Sequence, residues 1–189
     1  MAKQDAIVGV SDHNGWAILV TATADGTLVD RRRIELLDEG LPCMPYHHTA
    51  QGLPDDQAIE LVERVRRSAE KHAMLGLDAL GGELSAGIRG IALRECPPLP
   101  ATIPERIADY RAQCVADTVT YRQALADAAG ARGWDVHWYR TKTIFDAAAR
   151  SLGVNDLDAW FRDLRQSIGP PWRKDHMFAM AAAIAAAKR

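Results

Sequence analysis

Three acidic residues in this chain have the spacing expected of divalent metal ligands. Asp12 ends a predicted first strand, Glu95 ends a later strand, and Asp175 lies in the first turn of the predicted last helix. Three crowded carboxylates repel one another, and a divalent cation relieves that repulsion. Magnesium or manganese prefers oxygen ligands, and two such ions can activate water for phosphodiester cleavage. Taken singly, each acid is equally an ordinary turn, strand-end or helix-start charge.

Basic and titratable residues adjoin the last of these acids. His176 is a candidate fourth ligand or proton donor, because its ordinary pKa lies near neutrality. Arg173 and Lys174 are candidate phosphate-binding residues. The alternatives are that His176 packs against Trp172 and that the two cations are simply exposed.

A second group of metal-binding residue types lies in the segment that contains Cys43, His47 and His48. Adjacent histidines point in different directions, and three residues leave a zinc ligand set incomplete. The sequence therefore disfavours zinc there.

The elements that must position the three acids begin with a meander. Residues 6–12 and 16–24 are apolar, β-branched runs separated by His13-Asn14-Gly15, and Asn-Gly is a strong hairpin signal. A turn at Asp25-Gly26 leads to a more exposed third strand over 27–37. Residues 38–56 hold three prolines and two glycines without periodicity, which predicts a long insertion loop of the kind that is often functional.

The rest of the chain alternates helices and strands. Helical spacing of apolar residues predicts a helix from about residue 56 to residue 80, and proline stops a short strand after Cys96. The later elements are one long or two broken helices over 103–132, a strand over 135–139, short helices at 143–152 and 156–167, and a final helix over 173–188.

This order predicts an α/β fold with a mixed five-stranded sheet, a three-stranded antiparallel meander plus two parallel strands, flanked by helices. Right-handed crossovers would place the fourth strand beside the first. Asp12 and Glu95 would then lie at the same rim of the sheet, where open α/β folds place their sites. The start of the last helix, with Asp175, is expected at that rim too.

Composition limits the class of protein. The 189 residues fit one domain, and 48% hydrophobic with 25% charged residues is typical of globular proteins. A net charge of −2 gives no global field for a polyanion, so nucleic-acid binding would need a local basic face. The three cysteines lack metal-site or disulfide spacing, and no leader or membrane segment is recognised, so a cytoplasmic protein with reduced thiols is expected.

The second half of the chain resembles the ribonuclease H-like superfamily, and within it the RuvC-type Holliday-junction resolvases. The resemblance covers about residues 88–188 and rests on IRGIALREC, QALADAAGARG, WDVHWY, RTKTIFDAAARSLG and KDHMFAMAAAIAAA in that order. Two departures are that His13-Asn14-Gly15 stands where the family has a Pro-Gly type turn, and that the last helix offers one acid where two are common.

The resemblance implies a metal-dependent nuclease that acts on structured nucleic acid. Asp12, Glu95 and Asp175 would bind Mg²⁺ or Mn²⁺, with His176 as a further catalytic residue and Arg173 and Lys174 binding substrate. DNA is expected ahead of RNA, and a junction-cutting enzyme would be expected to act as a homodimer.

Two other functional classes are alternatives to a metal-dependent nuclease. One is a non-catalytic module of the same fold that binds nucleic acid or protein, which the mild negative charge favours. The other is the ATP-binding actin and sugar-kinase class, which is disfavoured because the hairpin offers only Asn14-Gly15 and no glycine-rich phosphate loop.

Overall fold

The computed structural model describes residues 5–188, which form a five-stranded sheet flanked by helices. The strands are β1 (Asp5–His13), β2 (Trp16–Thr23), β3 (Leu28–Glu35), β4 (Gly87–Arg94) and β5 (Asp135–Tyr139). The α-helices are α1 (Asp55–Glu83), α2 (Ile103–Ala108), α3 (Tyr110–Gly130), α4 (Ile144–Leu152), α5 (Leu157–Ile168) and α6 (Lys174–Ala186).

The strand order is β3-β2-β1-β4-β5. The first three strands pair antiparallel, whereas β4 pairs parallel to β1 and β5 pairs parallel to β4. The predicted meander and the predicted position of the fourth strand beside the first are both confirmed. The mixed sheet therefore brings the carboxyl ends of β1, β4 and β5 to one rim.

The β1–β2 hairpin follows from its turn residues. His13 pairs with Trp16, which leaves Asn14 and Gly15 as the two-residue connection. Gly15 has φ of +87°, a backbone conformation that side chains rarely tolerate. The Asn-Gly pair thus fixes the register that pairs residues 6–13 of β1 with β2.

Alternation along β1 separates two hydrophobic cores. Val8 and Val10 belong to the core that includes residues of α1 and α3, whereas Ile7 belongs to the core built on α6, α4 and α5. Successive side chains of a strand point to opposite faces of the sheet. The face on which a β1 residue lies therefore determines which helices it can contact.

Helix α6 packs tightly on β1. Its residues from Ala179 to Ala186 are all buried, and a methyl group placed on Gly9 would lie 2.7 Å from the backbone nitrogen of Ala183. The alanine-rich sequence and Gly9 thus permit close approach of helix and strand. Across residues 5–188, no helix combines the length and the apolar character needed to span a membrane.

Several predicted boundaries shift in the structure. Helix α1 continues through Gly81 and Gly82 to Glu83, although glycine pairs were expected to end it. The 103–132 segment forms two helices that meet at Asp109, the second of the two alternatives. Tyr110, the first residue of α3, is 66% exposed.

Candidate functional site

Asp12 lies in a buried ion pair. Its side chain is 0% exposed, and Arg122 of α3 donates from Nε to Asp12 Oδ2 at 2.8 Å while itself remaining 6% exposed. Arg122 also donates to the backbone carbonyl of Glu95 at 3.2 Å. Arg94 Nε lies 3.9 Å from the other carboxylate oxygen, too far for a hydrogen bond. Asp12 is therefore held between two guanidinium groups.

Glu95 directly follows β4 rather than ending it, since the strand stops at Arg94. Its carboxylate accepts hydrogen bonds from Nε of Arg140 at 2.9 and 3.2 Å. The Glu95 side chain is 46% exposed and that of Arg140 is 74% exposed. Solvent screens this second ion pair, so its contribution to stability is small.

Asp175 lies in the first turn of α6, as predicted. Its Oδ1 accepts from Ser11 Oγ at 3.1 Å and makes a 3.0 Å hydrogen bond with His13 Nε2. Burial by itself would raise the pKa of Asp175, but the hydrogen bonds from His13 and Ser11 outweigh it and hold the pKa below its ordinary value. The Asp175 carboxylate is therefore bound to the residues on either side of Asp12.

The alternation of β1 accounts for these different partners. The Asp12 side chain lies on the same face of the sheet as Val8 and Val10 and contacts α3. Ser11 and His13 lie on the opposite face and contact α6. The sequence analysis placed Asp12 and Asp175 at the same rim without assigning each side chain to a face. Ser11 and His13 are consequently site residues that it missed, and strand alternation was the signal that could have identified them.

Arg122 was also missed. It lies three residues after Val119 and three before Leu125, so apolar residues at helical spacing flank it in the predicted 103–132 segment. A charged residue at that helical position must have a partner when it is buried. The need for a partner could have marked Arg122 as a site residue. It could not have identified Asp12 as that partner, because the two residues are 110 positions apart in sequence.

The three acids do not form one cluster. Among residues 5–188, no group of three or more His, Cys, Asp or Glu side chains is placed to share a metal ion. Asp12 Oδ1 is buried without a hydrogen-bond partner, which leaves one ligand atom open, but Arg94 Nε lies only 3.9 Å from it. The arrangement as it stands therefore does not fit a two-metal centre, and the metal-binding roles of Asp12, Glu95 and Asp175 stay predictions.

His176 packs beside Trp172, with ring centroids 5.7 Å apart. Its Nδ1 accepts from the backbone N–H of Arg173 at 3.2 Å, so the imidazole caps the start of α6. Burial lowers the pKa of His176, and the nearby Arg31 and Arg173 lower it further. The neutral imidazole is thus favoured, as its acceptor role requires.

A stacked group extends from Asp175 along the hairpin. His13 lies parallel to Trp16 with ring centroids 3.9 Å apart, and the guanidinium carbon of Arg33 lies 4.1 Å from the centre of the Trp16 ring. Cation–π contact and stacking order these side chains. Trp16 and Arg33 form one wall of a cavity of about 280 Å³ that Arg173 and His176 also line.

Basic side chains surround the start of α6. Three cavities of about 280, 340 and 390 Å³ adjoin one another, since Arg173 lines all three. Two acidic residues, Asp158 and Asp175, also line them. The basic surface, as we name it, comprises Arg31, Arg32, Arg33, Arg162, Arg165, Arg173 and Lys174. Arg32 is paired with Asp30 and Glu83 and Arg33 with Glu35, whereas Arg31, Arg165, Arg173 and Lys174 make no ion pair within residues 5–188, so the net positive charge of this surface lies mainly on these four.

Arg31 positions this surface. Its guanidinium donates to the carbonyl oxygens of the four residues from Ile168 to Pro171 at 2.9–3.2 Å. These bonds attach the connection between α5 and α6 to β3. Carbonyl acceptors carry no net charge, so the positive charge of Arg31 remains.

The predicted 38–56 loop approaches the same rim. It contains a π-helical turn (Pro45–Thr49), whose Tyr46 and His47 backbone N–H groups donate to the buried carboxylate of Asp117 at 2.9 and 3.1 Å. Burial raises the pKa of Asp117. A methyl group on Gly15 would lie 3.3 Å from Cβ of Cys43, so the loop rests against the β1–β2 turn.

Comparisons with known proteins bear on the fold. No protein-family model matches the chain. DNA ligase B of Pseudomonas fluorescens (strain Pf0-1) is 36% identical over 98 residues, and the match spans 52% of this chain but 15% of that protein. A Thermus thermophilus RuvC structure superimposes with a TM-score of 0.51 at 12% identity, covering 95% of this chain and 92% of that one. T. thermophilus RuvC in complex with a Holliday junction substrate gives a TM-score of 0.47 at 11% identity, covering 95% and 90%. The chain has a ribonuclease H-like fold similar to that of RuvC.

Proposed function

We propose that this chain binds structured nucleic acid as a non-catalytic module of ribonuclease H-like fold. The observation that carries the proposal is the basic surface around Arg173, where Arg31, Arg165, Arg173 and Lys174 line adjoining cavities and make no ion pair among the described residues. Clustered arginines and lysines provide the phosphate contacts that dominate nucleic-acid affinity. The local similarity to DNA ligase B favours DNA over RNA. A cytoplasmic location and a homodimeric state stay predictions.

The ion pairs at the acids support the non-catalytic part of the proposal. Arg122 neutralises Asp12 in a buried site, Arg140 neutralises Glu95, and the Asp175 carboxylate is hydrogen-bonded to Ser11 and His13. A cation that replaced Arg122 at Asp12 would leave a buried guanidinium without its carboxylate, which is strongly unfavourable. The acids thus have structural roles that need no metal.

Removal of charge from the basic surface is expected to weaken DNA binding. We expect the triple variant Arg162→Gln, Arg165→Gln, Arg173→Gln to lose roughly 10-fold to 100-fold in affinity for branched and duplex oligonucleotides at low salt, measured by fluorescence anisotropy. The log–log slope of affinity against salt concentration should fall by about 2–3, since three phosphate contacts are removed.

A matched variant controls for net charge. Arg66→Gln, Arg67→Gln, Arg89→Gln removes the same charge from exposed side chains elsewhere in the fold. Its affinity should stay within about threefold of the wild-type value. Equal losses in both triple variants, or no binding by the wild-type chain, would rule out the proposal.

The second candidate function is a metal-dependent nuclease, which one observation favours. Asp12 Oδ1 is buried without a hydrogen-bond partner, as a carboxylate oxygen reserved for a ligand would be. Mg²⁺ or Mn²⁺ would be held by Asp12, Glu95 and Asp175, with His176 beside them. Rearrangement of Arg122 would have to precede that binding.

Cleavage assays separate the two candidates. A nuclease should cut branched, duplex or single-stranded oligonucleotides with magnesium or manganese and not with chelator. Asp12→Asn should abolish that cleavage while the melting temperature shows a folded protein, and manganese binding should depend on Glu95. Asp135→Asn, at the start of β5 on the opposite rim, is the matched control and should cleave normally. Cleavage by Asp12→Asn would exclude the nuclease candidate.

A further inference from the structure

The connection between α5 and α6 encloses a basic notch. It is a cavity of about 390 Å³ lined by Arg162 and Arg165 of α5, by Trp172, and by Arg173 and Lys174 at the start of α6. Phe161 and Met177 supply apolar walls, and Asp158 is the acidic residue in the lining. We call this cavity the notch. Its volume leaves room for an anionic group together with water.

The charges in the notch are largely uncompensated. Within residues 5–188, Arg165, Arg173 and Lys174 make no ion pair, and Arg162 Nη2 is 4.0 Å from Asp156 Oδ2, the outer limit of such a contact. Four cations thus face one cavity with one carboxylate among them. Mutual repulsion of these cations is relieved when an anion binds.

Trp172 provides a second, independent observation. The residue is 6% exposed and lines both the notch and the adjoining cavity of about 340 Å³, and its indole Nε1 has almost no exposed surface and no hydrogen-bond partner among the described residues. A buried N–H without an acceptor costs free energy, and buried indole groups usually have one. Contacts with the rings of Phe161 and His176, whose centroids lie 6.2 and 5.7 Å away, hold the indole in place.

The start of α6 strengthens the case for an anion. The first N–H groups of a helix lack intrahelical partners and carry partial positive charge. Arg173 and Lys174 stand at this helix end, so their side chains and the helix favour the same ligand charge. An arginine fork and an ammonium group together match the several acceptor oxygens of a phosphoryl group, and the indole N–H of Trp172 in the same lining is a donor without a partner.

We propose that the notch binds one phosphoryl group of a nucleic acid. This inference rests on the proposed function, because the DNA source of the phosphoryl group is taken from it. The notch would fix the position of the nucleic acid relative to the basic surface, since phosphate contacts determine register rather than sequence preference.

Titration with inorganic phosphate tests the notch directly. At constant ionic strength, phosphate should shift the indole N–H resonance of Trp172 with saturation, and chloride should not. Trp172→Phe keeps an aromatic ring but removes the donor, and Arg165→Gln removes one cation. Each should weaken phosphate binding, measured calorimetrically, by at least about fivefold. Arg150→Gln, an exposed arginine of α4, is the matched control and should stay within about twofold.

Oligonucleotides identify the source of the phosphoryl group. Phosphate should compete with DNA, and Trp172→Phe should weaken DNA binding by at least about threefold. Tighter binding of a 5′-phosphorylated than of a 5′-hydroxyl strand would assign the notch to a terminal phosphate, and equal binding would assign it to internal ones. A saturable phosphate shift that Arg165→Gln leaves unchanged would overturn the inference, as would the absence of any saturable shift.

The results also separate this inference from the proposed function. DNA binding that depends on the basic surface but is insensitive to Trp172→Phe and to phosphate overturns the notch and leaves the proposed function standing. Saturable phosphate binding without any nucleic-acid binding overturns the proposed function, and with it the nucleic-acid assignment of the notch.

Discussion

Arg122→Ala is expected to lower the free energy of unfolding by about 3–5 kcal/mol, because it leaves the buried Asp12 carboxylate without its partner. The arginine also donates to the Glu95 carbonyl, so its loss removes a connection between β1, β4 and α3. Urea denaturation at neutral pH measures the change. A loss under about 1 kcal/mol would mean that water or Arg94 replaces the guanidinium.

Two further variants show whether the loss comes from the unpaired charge. The double variant Asp12→Leu, Arg122→Met replaces the ion pair with apolar groups, and it should recover most of the stability lost by Arg122→Ala. Arg140→Ala removes the partner of Glu95 but acts on a side chain that is 74% exposed, so it should cost less than about 1 kcal/mol. The contrast between Arg122 and Arg140 thus measures the effect of burial on two ion pairs at the same rim.

The same ion pair bears on the choice between the two candidate functions. In a two-metal site, a carboxylate that bridges both ions uses both of its oxygens, yet one oxygen of Asp12 accepts from Arg122. A variant that frees Asp12 without unfolding the chain, such as Arg122→Met, would reveal whether the remaining groups can bind manganese. Binding that appears in this variant and depends on Glu95 would favour a regulated metal site over a purely structural acid.

The sheet could be predicted from the sequence because its determinants are local. Asn14-Gly15 sets the first hairpin, the turn at Asp25-Gly26 sets the second, and helical crossovers bring β4 beside β1. Right-handed crossover geometry then leaves few arrangements of five strands. This reasoning needs no knowledge of side-chain contacts, which is why it correctly predicted the meander and the position of β4 beside β1. The resemblance to RuvC came instead from sequence segments in the second half of the chain.

The candidate site could not be predicted to the same degree, because its contacts join residues far apart in sequence. Asp12 and Arg122 are 110 positions apart, and Asp175 bonds to Ser11 across 164. The position of an acid at the end of a strand shows at which rim of the sheet it lies. Whether its position along the strand is odd or even shows on which face of the sheet its side chain lies. One residue of difference decides whether a β1 side chain reaches α3 or α6.

The segment between β3 and α1 illustrates a third limit. Its prolines and glycines indicated a loop, but the π-helical turn within it depends on Asp117 of α3, whose carboxylate accepts from two of its backbone N–H groups. Such turns are often associated with functional sites. A turn whose backbone N–H groups donate hydrogen bonds to a carboxylate far away in sequence cannot be recognised from its own residues.

Gly9→Ala is expected to destabilise the chain by at least about 3 kcal/mol, at the upper end of the cost of overpacking. The added methyl group would lie 2.7 Å from the Ala183 nitrogen and closer still to the Ala179 carbonyl oxygen. Both are backbone atoms of α6, so no side-chain rotation relieves the contact and the helix must move away from β1. Displacement of α6 would also separate Asp175 from Ser11 and His13, because these hydrogen bonds cross the same interface.

Gly82→Ala is the matched control for this prediction. Gly82 lies inside α1, and an added methyl group there meets nothing within 4 Å. Alanine favours helix over glycine by about 0.5–1 kcal/mol, so this variant should be as stable as the wild-type chain or more so. Thermal and urea denaturation of the two variants compare close helix–strand packing with simple helix propensity. A Gly9→Ala variant with wild-type stability would contradict the close contact between α6 and β1 at Gly9.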